Sequence, residues 1–300
     1  MDASHGLKKA ATPSAPGSWA LWLGSESMVS SPRYTHGHAE SVLRSHRTRT
    51  AENSAAYLLP ELRPGLSLLD VGSGPGTITA DLAMRVAPGR VTALETTDTV
   101  LQHARSEVAR RGASTVDFAV GDVLALDFPA ASFDVVHAHQ VLQHVADPVA
   151  ALREMIRVCR PGGVVAARDG DYGGFIWYPR DPWLDRWNEL YHQAARANGG
   201  EPDAGRYLLA WAHAAGGHDV RGSSSTWCYC DPAGRAEWGG TWAERIVSSD
   251  IAGQLLSSGM ATAAELQHIA AAWRDWAAEP DGWFSVLHGE ILIRVAGTMQ

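Results

Sequence analysis

Apolar residues along this chain fall at two spacings, and the spacing switches repeatedly between positions 66 and 170. Leu66, Leu68, Leu69 and Val71 form a short apolar run, the pattern of a strand covered on both faces. Ile78, Leu82 and Val86 then recur every four residues, which predicts a helix over Thr77–Val86. The switch repeats downstream. Arg90–Glu95, Val116–Val123, Phe133–Gln140 and Val164–Arg168 read as further strands with helices between them. One of those helices starts at Asp147-Pro148 and runs through Cys159, with Arg160-Pro161-Gly162-Gly163 turning into the next strand. Five strands alternating with helices predict a parallel sheet with right-handed crossovers. Beyond Asp171 the texture changes. Residues 172–202 are rich in Trp, Tyr, Gly and Pro, and Asp203–Ala215 is helical. Gly217–Tyr229 reads as a sixth strand and Trp283–Val295 as a seventh. Between them, Asp231–Glu279 predicts two helices, WAERIVSSDIAGQLLSSG and TAAELQHIAAAWRDWAA, broken near Ser258-Gly259.

The junction after the first strand carries the most chemistry. Asp70 ends that strand, and Gly72, Gly74 and Gly76 follow at alternate positions. Glycines at this density allow positive φ and close approach of a ligand to the backbone, and the helix that follows presents free N–H groups. A dinucleotide fingerprint places its third glycine three residues after the second, as GxGxxG. Here it comes two residues after, as DxGxGxG. That motif resembles the first motif of class I S-adenosylmethionine (SAM) methyltransferases. The run FDVVHAHQVLQHVADPVAALREMIRVCRPGG is similar to the ubiquinone/menaquinone-biosynthesis type of small-molecule methyltransferase, and the resemblance covers Tyr57 to Asp169 in order. It implies a Rossmann-like, seven-stranded, mostly parallel sheet whose last strand inserts antiparallel. It also implies a SAM site made by Asp70, Gly72, Ser73, Gly74, Gly76 and Thr77. Glu95 would take the ribose hydroxyls with Thr96 beside it, and Gly121, Asp122 and Val123 would meet the adenine. His139 and Gln140 would lie near the methionine moiety, since ligands bind at the carboxyl ends of parallel strands.

Composition narrows the class. Of 300 residues 45% are hydrophobic, ample for a core, and 19% are charged with a net charge of −8. The densest cationic cluster, Arg44–Arg49, is short and flanked by acids, which argues against nucleic acid as a partner on charge grounds. A nucleic-acid methyltransferase would also be expected to show Asn/Asp-Pro-Pro-Tyr where this chain reads His-Ala-His-Gln. No apolar stretch reaches the roughly 18 residues needed to cross a bilayer, and the first residues lack the apolar region of a secretory signal. Residues 1–30 read as a disordered tail and 31–60 as a helical lid. Residues 61–170 then form the SAM-binding core, and 171–300 the remaining strands with substrate-binding inserts. Cys228 and Cys230 read as two small core residues, since CxC supplies too few ligands for a metal. With three cysteines, the expected compartment is reducing and cytoplasmic.

Tryptophan is distributed unevenly. None of the twelve lies between Ala51 and Asp169, and ten follow Gly173. Indole rings supply rigid contact area and a negative π face, which suits a flat aromatic or cationic ligand. Trp273 and Trp276, three apart, fit plain helix packing equally well. Trp177, Trp187, Arg206 and Trp283 are the candidates for binding the acceptor. Tyr34, with His36 and His38 flanking Gly37, forms a segment that could close over the methyl group, Tyr34 also touching the cofactor. Where the nucleophile must lose a proton, His38, Asp169, Tyr172 and His288 are the candidate bases. The sequence therefore points to methyl transfer from SAM to a small aromatic molecule of secondary metabolism, with C-methylation of an indole-type ring favoured. O- or N-methylation of a phenol, quinone or amine is the alternative, and a non-catalytic SAM-binding regulator is the rival of a different class. The family also allows a homodimer.

Overall fold

The computed structural model describes residues 48–297. The chain enters through α1 (Ala51–Ser54), capped by Thr50, and a 3-10 turn at Leu59–Glu61. The strand β1 (Leu68–Val71) is buried at all four positions. It lies between two parallel neighbours, β2 (Val91–Glu95) and β4 (Phe133–His139). Outside β2 runs β3 (Val116–Val120), and outside β4 runs β5 (Cys159–Gly170), both parallel to their neighbours. The crossovers are α2 (Thr77–Val86), α3 (Asp98–Arg110) and α4 (Pro148–Val158).

The closing strand β8 (Trp283–Arg294) enters antiparallel beside β5, and β7 (Asp219–Tyr229) pairs with it, also antiparallel. Ile291 faces Ala167 across one edge of β8 and Gly222 across the other, so β7 is the outer strand. A short strand, β6 (Ile176–Tyr178), continues the line of β5 along the beginning of β8. It brings the sheet to eight strands where the sequence suggested seven, because three residues are too few to show a period.

Side chains alternate across the sheet, so each strand feeds two layers. Leu68, Val91, Val135 and Val164 pack on one face with Leu58, Leu82 and Val86. Leu69, Val136, Val165 and Ile293 pack on the other with Leu152 and Met155 of α4 and Leu208 of α6 (Ala204–Ala214, with α5 given below). A third cluster lies beyond the sheet. It joins α5 (Pro182–Ala197), α7 (Pro232–Ser248), α8 (Asp250–Ser257) and α9 (Ala263–Ala278) around Trp187, Trp242, Trp273 and Phe284.

Three local expectations change. The segment WAERIVSSDIAGQLLSSG is two helices, because Ser249 is extended (ψ 177°) and its Oγ donates back to the Arg245 carbonyl, ending α7. Helix α5 was hidden in the aromatic stretch 172–202, although Asp181 caps it and Pro182 occupies its first turn. Cys228 and Cys230 are exposed rather than in the core, since β7 is the outer strand. No helix among the described residues is long and apolar enough to cross a membrane. The expected tail and most of the expected lid, with Tyr34, His36 and His38, lie outside the described residues.

Candidate functional site

The loop after β1 is left-handed at every second residue, with φ of 67° at Gly72, 55° at Gly74 and 84° at Gly76. Its three glycines answer different constraints. A Cβ on Gly72 would lie 2.4 Å from Val141 Cγ2, and one on Gly76 would lie 2.8 Å from the Ala104 Cα. A Cβ on Gly74 would meet nothing within 4 Å. The outer two are demanded by packing, and the middle one faces open space. Ser73 and Thr77 on either side are buried, and α2 starts without a side-chain cap.

Glu95 reaches this loop from the end of β2, its Oε1 accepting the Gly74 N–H at 2.6 Å and its Oε2 the Thr96 N–H at 3.3 Å. Burial raises its pKa above the ordinary carboxylate value. Past the end of β3, Gly121 is half-buried, Asp122 exposed and Val123 buried, with Asp122 Oδ1 accepting the Leu124 N–H at 2.9 Å. These residues all sit at the carboxyl ends of adjacent parallel strands. Asp70 is different. Its two oxygens are taken inside the protein, by Thr79 Oγ1 at 2.6 Å and His137 Nδ1 at 2.7 Å, so it braces β1 against α2 and β4.

One face of the sheet turns from apolar to polar at its carboxyl end. In strand parity, Leu68 gives way to Asp70, Val135 to His137 and His139, Ala166 to Arg168, and Leu292 to Glu290 and His288. Arg168 is 1% exposed, its Nε bonded to Glu290 Oε1 and Ser225 Oγ, and its guanidinium stacks 4.9 Å from the centre of the Trp227 ring. Burial lowers its pKa to about 10. Trp227 is fixed by its Nε1–H, which donates to the Asn53 carbonyl at 2.7 Å. His139 lies against Trp227 and His288. Burial and the Arg168 and Arg49 charges hold both histidines well below the ordinary histidine pKa, so both rings are neutral.

The acids at the end of β5 are structural in their contacts. Asp169 is fully buried and its Oδ1 accepts the Gln143 N–H at 3.1 Å, holding the turn after β4; burial raises its pKa to about 7. Asp171 pairs with Arg206 at 2.8 Å. Tyr172 stacks between Tyr191 at 3.9 Å and Phe175 at 4.4 Å.

A cleft opens beside the end of β4. Its walls are Tyr172, Phe175, Trp227, Tyr229, Trp238 and Trp242, and its polar lining is Thr48, Arg49, Gln140, Glu237, Thr241 and Arg245. Among the residues expected from sequence, Tyr172 and Gln140 line it. Trp177 and Trp187 do not; they are packed in the helical core, Trp187 between Trp242 and Trp273 with no exposed surface. Trp283 is 38% exposed at the start of β8, and Arg206 is committed to Asp171. The wall from α7 was missed in sequence, though Trp238, Thr241, Trp242 and Arg245 show the three-and-four spacing of one helix face.

Comparison with known proteins identifies the family of the chain. Residues 69–167 match a family model described as a methyltransferase domain. An uncharacterised methyltransferase of Schizosaccharomyces pombe is 32% identical over 87% of this chain and 96% of its own length. The probable methyltransferase ltbC of Aspergillus luteorubrus is 30% identical over 86% of this chain and 96% of its own. Among solved structures, the YcgJ protein of Bacillus subtilis shares the fold, with a TM-score of 0.53, 21% identity, and coverage of 81% of this chain and 98% of that one.

Proposed function

We propose a specific methyl transfer for this chain, which belongs to the class I SAM-dependent methyltransferases: from SAM to a small, flat aromatic acceptor. When bound, SAM supplies an electrophilic methyl group on a sulfonium. The residues at the strand ends suit it, because the space over Gly74 is open and is bordered by a carboxylate already tied to the loop. In this reading Glu95 accepts from the ribose hydroxyls, Asp122 and Val123 border the adenine, and Gly72–Thr77 with Thr96 and Gly121 shape the pocket. Asp70 contributes by bracing the loop.

The observation that carries the acceptor class is the cleft beside Gln140, with six aromatic walls drawn from the turn after β5, from β7 and from α7. Rings of this size offer flat contact at low conformational cost. Holding acceptor and methyl group in near-attack geometry is the main task of such a site and is worth about 7–11 kcal/mol. An electron-rich ring carbon needs no proton removed before it attacks, which favours C-methylation of an indole-type ring. His139 and His288 are in keeping with that preference, since burial makes each a poor base. Residues 31–60, including Tyr34 and His38, are assigned to the cover that excludes water from the methyl group.

Incubating the protein and methyl-labelled SAM with an extract of its own organism tests the reading. Label should appear in a low-molecular-weight aromatic product, and carbon NMR should place it on a ring carbon. Label on oxygen or nitrogen would keep the acceptor class and overturn C-methylation. Absence of any labelled product, with SAM bound normally, would point to a regulator.

A further inference from the structure

We propose that Gln140 reads a hydrogen-bond donor on the acceptor, and that His288, distant in sequence, is the positioning residue that aims it. The inference rests on the aromatic-acceptor reading of the cleft. Gln140 is the first residue past β4, and it is left-handed, with φ of 54°. A non-glycine residue in that region is strained and stays there only where its surroundings hold it. Its backbone N–H is tied to the Arg168 carbonyl at 2.7 Å, and the residue lines the cleft.

The direction of its amide follows from hydrogen bonding. His288 Nδ1 lies 3.0 Å from the Val286 carbonyl, which can only accept, so Nδ1 carries the proton. Burial keeps the ring neutral, so Nε2 has a lone pair and no proton. That Nε2 lies 3.0 Å from Gln140 Nε2, which must therefore be the amide NH2 donating to it. The opposite tautomer would turn the Nδ1 lone pair onto the Val286 carbonyl oxygen, setting two acceptors face to face. The chain of bonds thus has one polarity: Gln140 N–H to His288, and His288 N–H to Val286. Gln140 Oε1 stands outside this chain of bonds, no described residue donates to it, and in this proposal it is the atom turned to the cleft. An oxygen so placed accepts from an N–H or O–H group and repels another acceptor.

The His288 ring cannot swing away from this task. Trp227 packs against it edge-on at 4.4 Å and His139 stacks at 6.2 Å, and the residue has no exposed surface. Trp227 in turn is pinned through Asn53. A site that must hydrogen-bond a donor rejects the capped analogue, because a buried acceptor is then left unmet. The cleft should therefore prefer acceptors that keep a free N–H or O–H.

Ligand-observed NMR titration of the full chain, saturated with S-adenosylhomocysteine, tests this with three probes: indole, 3-methylindole and 1-methylindole. The two methylindoles match in size and differ in the N–H. Wild type should bind 3-methylindole about five- to tenfold more tightly than 1-methylindole, the worth of one neutral hydrogen bond. Gln140→Met should erase the preference. His288→Phe should also erase it, with Gln140 intact but unaimed, while His288→Gln, which restores an acceptor, should recover at least part of it. A calorimetric titration with S-adenosylhomocysteine on each variant confirms a folded protein. A preference absent from wild type, or unchanged in Gln140→Met, would overturn the proposal and leave the aromatic cleft standing. Persistence in a folded His288→Phe would remove the positioning role. Failure of wild type to bind any of the three indoles would overturn the aromatic reading, and this inference with it.

Discussion

Gly74 and Gly76 stand two residues apart in one loop, both left-handed, yet a side chain would meet empty space at the first and the Ala104 backbone at the second. Their substitutions should therefore part company. Gly74→Val should leave a folded protein whose SAM affinity falls by at least tenfold, since the new side chain occupies the ligand's space and resists positive φ. Gly76→Val should lose the fold itself, because the obstruction is the main chain of α3. Thermal melting and calorimetry on the pair check both halves. Normal SAM affinity in Gly74→Val would mean the loop faces something other than the cofactor. The glycine spacing was legible in the sequence because all three positions are left-handed, a local backbone requirement that glycine meets. The pairing of Gln140 with His288 was not. It depends on β8 entering antiparallel beside β5, which brings together residues 148 apart in sequence. His288 was noticed only as a candidate base, and the structure gives it a partner that occupies its lone pair.

At the scale of elements, the turn after β4 shows how one buried acid organises a segment. Asp169 accepts the Gln143 backbone N–H at 3.1 Å, and Gln143 Oε1 in turn accepts the Gly170 N–H at 3.0 Å. These bonds lace the end of β5 to the turn that carries Gln140. Burial outweighs them and raises the Asp169 pKa to about 7. A carboxyl whose folded pKa exceeds its unfolded value near 3.9 contributes stability that is complete below that value. It is lost as pH climbs through 7. Asp169→Asn cannot titrate, so the difference between wild type and variant in urea-unfolding free energy should change between pH 4.5 and pH 8. Wild type should lose more over that interval. Parallel pH profiles would show that Asp169 does not titrate there. The element boundaries were readable where a residue of fixed chemistry marked them, as Asp147-Pro148 marks α4. They were not readable at β6, which owes its existence to an edge of β8 rather than to its own three residues, nor at Ser249, whose break in the helix follows from one side-chain bond to Arg245.

Across the whole molecule, two kinds of surface meet at the carboxyl ends of the strands. The first five strands offer a glycine loop and two carboxylates, and the aromatic insert offers a cleft with rings for walls. The parallel run of the core strands was legible because strands alternating with helices leave a βαβ chain few topologies. The division of the aromatic residues was not, since Trp187 and Trp242 belong to the same core and only Trp242 also borders the cleft. A site open at its strand ends needs a cover to exclude water from a reacting methyl group. The N-terminal segment carries the aromatic residues Trp19, Trp22 and Tyr34. Deleting residues 1–40 should leave cooperative melting intact, because the three apolar clusters are built from residues between Ala51 and Ile293. SAM affinity should fall only a few-fold if Glu95 and the glycine loop dominate it, while turnover should drop by two orders of magnitude or more, on the order of what a lost lid costs through misplaced reactants. Calorimetry and a labelled-methyl assay on the truncated protein separate the two quantities. Full turnover after truncation would assign the cover to the carboxyl half alone and remove Tyr34, His36 and His38 from the site. A parallel collapse of affinity and turnover would instead make the segment part of the cofactor pocket.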